Sequence, residues 1–592
     1  MSLMLDNLRR AMKNAGVNAY LIFNTDPHQS EYIPEDFMTA KALTGFTGDN
    51  ATLVVTQDFA GLWTDSRFFI SGEIEIKDSG FQLMKRTQEP ETSYLHFLKT
   101  NLKEGDQVAC NGELISASEF SDLKRKLQPY NILVNDKIDL TDQFWQNRPQ
   151  IKFSKIFILE DKYAGKDVRT KLEELSAKLK ENNVDCFLTS GLDDIAWILN
   201  LRGSDIAYCP VFRAYFMALQ NGKSMLFIHK QRLTPEISKY LQRLDVMVMD
   251  YDSIASTLEN LPNKYSIMLD SNVLNSKLYS SINSKCKIVD RRSPIQFAKS
   301  EKNIVELQNM YKSMLEDGLA LERFFYKFEQ NLENDVPMTE LSAASMLLNE
   351  RKKSKYFLYE SFECISAFNH HAAMPHYAPS EKDDIPIEKD GVYLVDSGGQ
   401  YYLGTTDVTR TIPTGKFPEN FARDYTLVLI SNLNIAMQQF PEGTPGSRLD
   451  TLARCELWKY GLDFGHGTGH GVGYCLNCHE GPQAFSTSSS KNNKIPLVKG
   501  MVITDEPGLY IEGKYGIRTE NMMDVDKSDT DGFLKFNIMT LCHIDTRPVI
   551  KEMMTPSQID YLNAYNQSVY DTLSPYLESE VNEYLKQRTQ KI

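Results

Sequence analysis

Val392-Tyr-Leu-Val-Asp396-Ser-Gly-Gly399, followed closely by Gly404-Thr-Thr-Asp407-Val-Thr-Arg-Thr411, is the stretch on which the fold turns. An apolar run ends in an acid and a glycine turn, and a second β-prone run begins beside another acid. Together they predict a hairpin that brings Asp396 and Asp407 close to each other. A carboxylate at the end of a buried strand is costly unless something positive meets it. Taken singly, either aspartate is equally well read as the cap of a turn.

Two stretches downstream shift that balance. His466-Gly-Thr-Gly-His470-Gly-Val-Gly473 has too many glycines for a regular helix, so it is not the helical H-E-x-x-H zinc motif, and it lacks the Glu. Its glycines let backbone approach a ligand or another strand, although structural histidines on a glycine turn would look the same. Met501-Val-Ile-Thr-Asp-Glu506-Pro-Gly508 leads to Tyr515-Gly-Ile-Arg518-Thr-Glu520-Asn521. Read as a strand, the latter places Gly516, Arg518 and Glu520 on one face. Arg518 would then orient or balance the acids, where the bland alternative is an exposed ion pair. Four carboxylates and an imidazole form an oxygen-rich, hard site suited to Mn²⁺ or Co²⁺ and tolerant of Zn²⁺. Their mutual repulsion favours two divalent cations over one. Two such ions ~3.5–4 Å apart would share a hydroxide and polarise a carbonyl.

Further out, a helical pattern runs over 301–328, with Ser300 placed to cap it, and opens a larger domain. Seven of the ten histidines lie between His370 and His543, inside that domain. Upstream, an amphipathic helix over 4–14 precedes the strand Ala19-Tyr-Leu-Ile-Phe23, and a helix–strand pair recurs over 172–188. Each pair is followed by a similar phrase, Leu43-Thr-Gly-Phe-Thr-Gly48 and Leu199-Asn-Leu-Arg-Gly203, and then by an apolar strand, Thr52–Val55 and Ala214–Ala218. This reads as a degenerate duplication with a period near 155 residues.

At 592 residues the chain exceeds a single domain. Its net charge of -14 argues against nucleic acid, which requires a basic face. Nine scattered cysteines do not form a disulfide framework and suit a reducing compartment. The charged N-terminal segment is not a signal peptide, and no apolar run approaches the ~18 residues of a membrane helix. A cytoplasmic protein with no membrane partner is expected. The polar run over 486–494 reads as one exposed loop. Cys475-Leu-Asn-Cys478-His479 spells the c-type haem signature and half a zinc site, but no haem is expected without export.

The acid and histidine blocks resemble the metal-binding segments of the pita-bread metallopeptidases, the family of methionine aminopeptidase, prolidase and aminopeptidase P. The resemblance implies an α/β (α+β) chain: a creatinase-like domain over 1–155, a duplicated one over 156–300, and a pita-bread catalytic domain with a C-terminal extension over 301–592. It implies that Asp396 binds one metal, that Asp407 and Glu520 bridge both, and that His470 and Glu506 bind the second. Creatinase-like members need no metal, but all five ligand positions are kept here. Nearly the whole chain is most similar to the long aminopeptidase P form. The similarity includes Gly61-Leu-Trp-Thr-Asp-Ser-Arg-Phe-Phe69, Asp194-Ile-Ala-Trp-Ile-Leu-Asn-Leu-Arg-Gly-Ser-Asp205 and Asn477-Cys-His-Glu-Gly-Pro482.

By the same match His376, His466 and His479 lie on the substrate side, and Asn369-His-His-Ala-Ala373 departs from the Gly/Pro-like turn expected before His376. Glu506 would carry the proton, with His376 or His479 steadying the oxyanion. The implied protein is a homodimeric, Mn²⁺-dependent enzyme that releases the first residue of peptides with proline second. The alternatives are a prolidase acting on dipeptides and a non-catalytic binding protein of the same fold.

Overall fold

The computed structural model describes residues 2–487 and 494–592, so most of the polar run over 486–494 lies outside the described residues. The chain divides into two compact units, Met1–Glu160 with Lys166–Ile295, and Asp161–Gly165 with Gln296–Ile592.

The first unit holds two six-stranded sheets with one topology. Leu5, Leu8 and Met12 of the helix Ser2–Ala15 bury their apolar stripe in the first core, as their spacing predicts. Ala19–Phe23, buried at every residue, sits inside the first sheet. It pairs antiparallel with Thr52–Val55 and parallel with Gln107–Cys110, and the order continues outward through Ala60–Thr64 to Gln82–Lys85 on one side and to Leu133–Asn135 on the other. In the second sheet Cys186–Thr189 takes the same place. It lies antiparallel to Tyr215–Leu219 and parallel to Ser266–Leu269, with Ser224–Ile228, Val246–Asp250 and Lys287–Asp290 completing the same order. The repeated helix–strand phrases thus mark a duplicated topology. The phrase at 199–203 forms a two-residue strand, Leu201–Arg202, paired with Phe157–Ile158. The two halves meet through the buried pair Arg213–Asp36 at 2.5 Å and through His28, whose ring nitrogens face Ser190 O and the Tyr251 hydroxyl at 3.0 and 2.8 Å.

In the second unit the long helix spans Ile304–Glu333. Its cap is Asn303, not Ser300. The Asn303 side chain accepts from the Val305 and Glu306 amides while Glu306 returns a bond to the Asn303 amide. Ser300 instead ends the preceding helix, Pro294–Ser300, and its hydroxyl donates to Phe297 O. Val392–Ser397 is the middle strand of a three-stranded antiparallel sheet between Ile365–Phe368 and Val408–Pro413. Val502–Asp505 is the edge of a four-stranded sheet, next to Asn521–Lys527. The helices Phe421–Ala436 and Pro556–Leu573 share a core that includes Val392 and Ile517. All nine cysteines are free, and among the described residues no helix is long and apolar enough to cross a membrane.

Candidate metal centre

The antiparallel register sets Asp396 opposite Thr409, so Asp396 at the end of one strand and Asp407 just before the next fall side by side. The two strands form the expected hairpin, and between them the chain makes two short extra strands, Gly399–Tyr401 and Gly404–Thr405. Asp407, Asp396 and Glu520 offer oxygens within 4.8 Å of one another, as do the ligand atoms of His470, Glu506 and Glu520. The segment read as one strand through Asn521 breaks after Arg518: Tyr515–Arg518 is one strand and Asn521–Lys527 the next. Arg518 and Glu520 still reach the cluster. Arg518 Nη2 lies 2.5 Å from Asp396 Oδ2, and Glu520 Oε2 accepts from Thr409 Oγ1 at 2.7 Å.

The glycine-rich segment is extended, with Gly469–His470 pairing with Ala484–Phe485. A Cβ on Gly469 would lie 1.9 Å from Thr504 O, so only glycine lets this backbone rest against the strand that leads to Glu506. His470 Nδ1 faces Gly471 O at 3.0 Å. This directs Nε2 toward Asp407 Oδ2 and Glu506 Oε1, at 3.5 and 3.4 Å.

Burial and like charges distort the acids. Burial, opposed by Arg518 and reinforced by Asp407 and Glu506, lifts Asp396 to about 6. Burial also raises Glu506, with Asp407 adding and His470 opposing, and it raises Glu520 well above the usual carboxylate range, with Asp407 and Asp396 adding. Asp407 alone is lowered: burial pushes it up, but His470, the Cys478 thiol and His479 outweigh that. Asp396 Oδ1 is buried with no hydrogen-bond partner. An orphaned carboxylate oxygen within a set of crowded acids, with an imidazole nitrogen aimed at two of them, fits divalent cations.

Of the substrate-side histidines, His479 stands 4.2 Å from His470, ring to ring and nearly perpendicular, and groups with Asp407 and His470. His466 Nε2 meets the Tyr510 hydroxyl at 2.7 Å, and Arg518 Nη1 donates to that hydroxyl at 2.6 Å, so a chain of contacts runs from His466 to Asp396. His376 belongs to none of the ligand clusters found among the described residues. It lies in the turn closed by Tyr377 N on Met374 O. The unexpected Asn369-His-His-Ala-Ala373 is a 3₁₀ segment in which Asn369, at φ 49, supplies the left-handed residue and binds the Val392 amide through its side chain. Sequence reasoning passed over Tyr510, Thr409 and Thr504, ordinary polar residues with no motif of their own. It also assigned no role to Cys478, whose Sγ is 3.1 Å from Asp407 Oδ2.

Residues 4–138 and 147–306 match creatinase/prolidase N-terminal domains, 309–527 match metallopeptidase family M24, and 532–592 match the C-terminal region of that peptidase. Domains in this order over such a cluster of acids define a pita-bread metallopeptidase of family M24. Aminopeptidase P2 of Arabidopsis thaliana is 34% identical over 97% of this chain and 86% of its own length. Xaa-Pro aminopeptidase 1 of Dictyostelium discoideum is 33% identical over 98% and 94%. The crystal structure of the X-prolyl aminopeptidase of Caenorhabditis elegans, described as a cytosolic enzyme with a di-nuclear active site, matches with a TM-score of 0.95 at 32% identity, over 100% of this chain and 99% of that one. The chain belongs to the aminopeptidase P family of M24 metallopeptidases. The Xaa-Pro dipeptidase of Bacillus anthracis, 21% identical with a TM-score of 0.51 over 64% of this chain, shares the fold alone.

Proposed function

We propose that this enzyme is a two-metal aminopeptidase that hydrolyses the bond between a free N-terminal residue and a following proline. The observation that carries the reading is the convergence of Asp396, Asp407, His470, Glu506 and Glu520, with Asp396 Oδ1 left unsatisfied. Two divalent ions held there would polarise the scissile carbonyl and activate a water. In this reading Asp396, Asp407, His470, Glu506 and Glu520 would hold the two ions, Asp396 on one, His470 and Glu506 on the other, with Asp407 and Glu520 available to both. Glu506 would take the water proton and pass it to the leaving nitrogen. His479, beside His470, donates to the oxyanion that forms on the substrate carbonyl, with His376 as the second donor. His466 borders the substrate, and Arg518 fixes Asp396.

The imide before proline has no N–H, and its ring fixes φ, so this reading requires a pocket dedicated to it. The oxygen-rich donor set favours Mn²⁺, with Co²⁺ and Zn²⁺ as alternatives. We further read the chain as three domains, 1–155, 156–300 and 301–592, acting as a cytoplasmic homodimer.

One assay tests this. With Mn²⁺ present, an X-Pro-Pro tripeptide is cut to the free first residue, while its N-acetylated form is not. Turnover confined to an X-Pro dipeptide would make the enzyme a prolidase. No turnover of any peptide by metal-loaded protein would make it a binding protein.

A further inference from the structure

Three consecutive residues after the glycine run face three different partners. Cys478 touches Asp407, His479 stands against His470, and Glu480 turns to two lysines at the entrance of the second unit. Lys302 Nζ is 2.9 Å from Glu480 Oε1 and Lys299 Nζ 2.8 Å from Oε2. All three are buried, at 2% exposure for Glu480, 1% for Lys299 and 5% for Lys302. A buried carboxylate met by one ammonium on each oxygen cannot rotate without stranding a charge.

The backbone is pinned as well. Glu480 N donates to Gly471 O at 2.7 Å, and a Cβ on Gly471 would fall 2.1 Å from Glu480 O. The lysines are fixed at their other end. Lys302 Nζ donates to Lys299 O, Lys302 N donates to Gly500 O at 2.9 Å, and Glu301 bridges to Met501, at the foot of the strand that runs to Glu506. The segment 299–302 therefore ties the loop carrying His479 to the strand carrying Glu506.

We propose that Glu480, clamped by Lys299 and Lys302, is a positioning residue that holds His479 at the metal centre. The inference rests on the role given to His479 above. A purely stabilising ion cluster would show the same distances, so the test must read His479 itself.

The full-length protein is compared as wild type, Glu480→Gln, His479→Ala and the double variant. Readouts are kcat and KM on the X-Pro-Pro tripeptide, bound Mn²⁺, and the ¹⁵N-histidine NMR spectrum of the metal-free protein. Glu480→Gln lowers kcat about 10–100-fold, the range for partners that orient a site, with KM and metal content little changed. It also shifts the His479 resonances in the metal-free protein. Added to His479→Ala, it costs less than about twofold more, because the group it positions is gone. An equal loss of kcat in both backgrounds, or unmoved His479 resonances, overturns the proposal. Should Glu480→Gln not fold, Lys299→Met carries the same comparison, since it leaves Glu480 paired one-to-one with Lys302. If the wild type cuts no peptide yet Glu480→Gln still moves the His479 resonances, the activity is misread and the positioning stands.

Discussion

Among the described residues of the second unit, metal-ligand side chains gather in two places: Glu322 with Cys542 and His543, and three overlapping triads that link Asp396, Asp407, Glu520, Glu506, His470 and His479, the ligand atoms of each triad lying within 4.8 Å of one another. The first is closed. Glu322 Oε1 accepts from the His543 amide at 2.9 Å, and Oε2 faces His543 Nδ1 at 2.8 Å. Arg410 covers the adjoining carbonyls of Cys542 and His543. The second is open. Of four crowded acids one, Asp396, pairs with an arginine, three are pushed toward their protonated forms, and Asp396 Oδ1 is left without a partner. Ligand-type residues in reach of one another therefore do not make a site. A deficit of positive charge and of hydrogen bonds does.

The largest effect that separates the clusters comes from one isosteric change in each. Asp407→Asn removes a charge from the open cluster. Activity falls by more than the ~10–100-fold typical of outer partners, and bound metal drops, while the metal-free protein unfolds at a lower temperature because His470, the Cys478 thiol and His479 lose the charge they hold. Glu322→Gln removes a charge from the closed cluster. It costs about 1.5–3 kcal/mol of stability, the worth of a hydrogen bond to a charged acceptor, and leaves metal content per folded molecule intact. Full activity and metal content in Asp407→Asn would break the comparison at its root.

Acidity sharpens it next. In the metal-free protein burial pushes Asp396 up to about 6, above the 3.8 of an ordinary aspartate. The native state therefore binds more protons than the unfolded chain between those values. The stability this contributes is fully present below about pH 4 and is lost as pH rises through about 6. Thermal unfolding of metal-free wild type followed from pH 4.5 to 7 falls more steeply than that of Asp396→Asn. Mn²⁺ stabilises the wild type more at pH 7 than at pH 5, since the ions replace protons. Parallel profiles for the two proteins would show that Asp396 is not a lifted carboxyl.

How much of this was legible in the sequence follows from the range of the forces involved. The strand carrying Asp396, the non-helical glycine run and the repeated helix–strand phrases were local, and periodicity and glycine content carried them. Ser300 was misread because Ser, Asn and Thr all cap helices, and only the return bond from Glu306 singles out Asn303. The continuous strand through Asn521 was misread because alternation is blind to a break at Thr519. Tyr510 joins His466 to Arg518, and Lys299 meets Glu480 across 181 positions of chain. Contacts of that separation leave no trace in spacing.

The smallest expected difference lies in two buried thiols, one in each cluster. Cys478 Sγ is 3.1 Å from Asp407 Oδ2, and burial with that neighbouring acid raises its pKa well above the thiol range, so it stays S–H and donates. Cys542 has only the His543 carbonyl, at 3.8 Å, as an acceptor. An S–H is a weak donor, yet in the open cluster it bears on an oxygen that the proposed metals share. Cys478→Ala therefore weakens Mn²⁺ binding, by no more than the ~10-fold lower limit of outer partners, and Cys478→Ser, which keeps a donor, restores most of it. Cys542→Ala lowers the unfolding temperature through the cavity it leaves and does not alter Mn²⁺ affinity. Isothermal titration of the metal-free variants distinguishes these results, and equal Mn²⁺ affinity in Cys478→Ala and wild type would reduce Cys478 to packing.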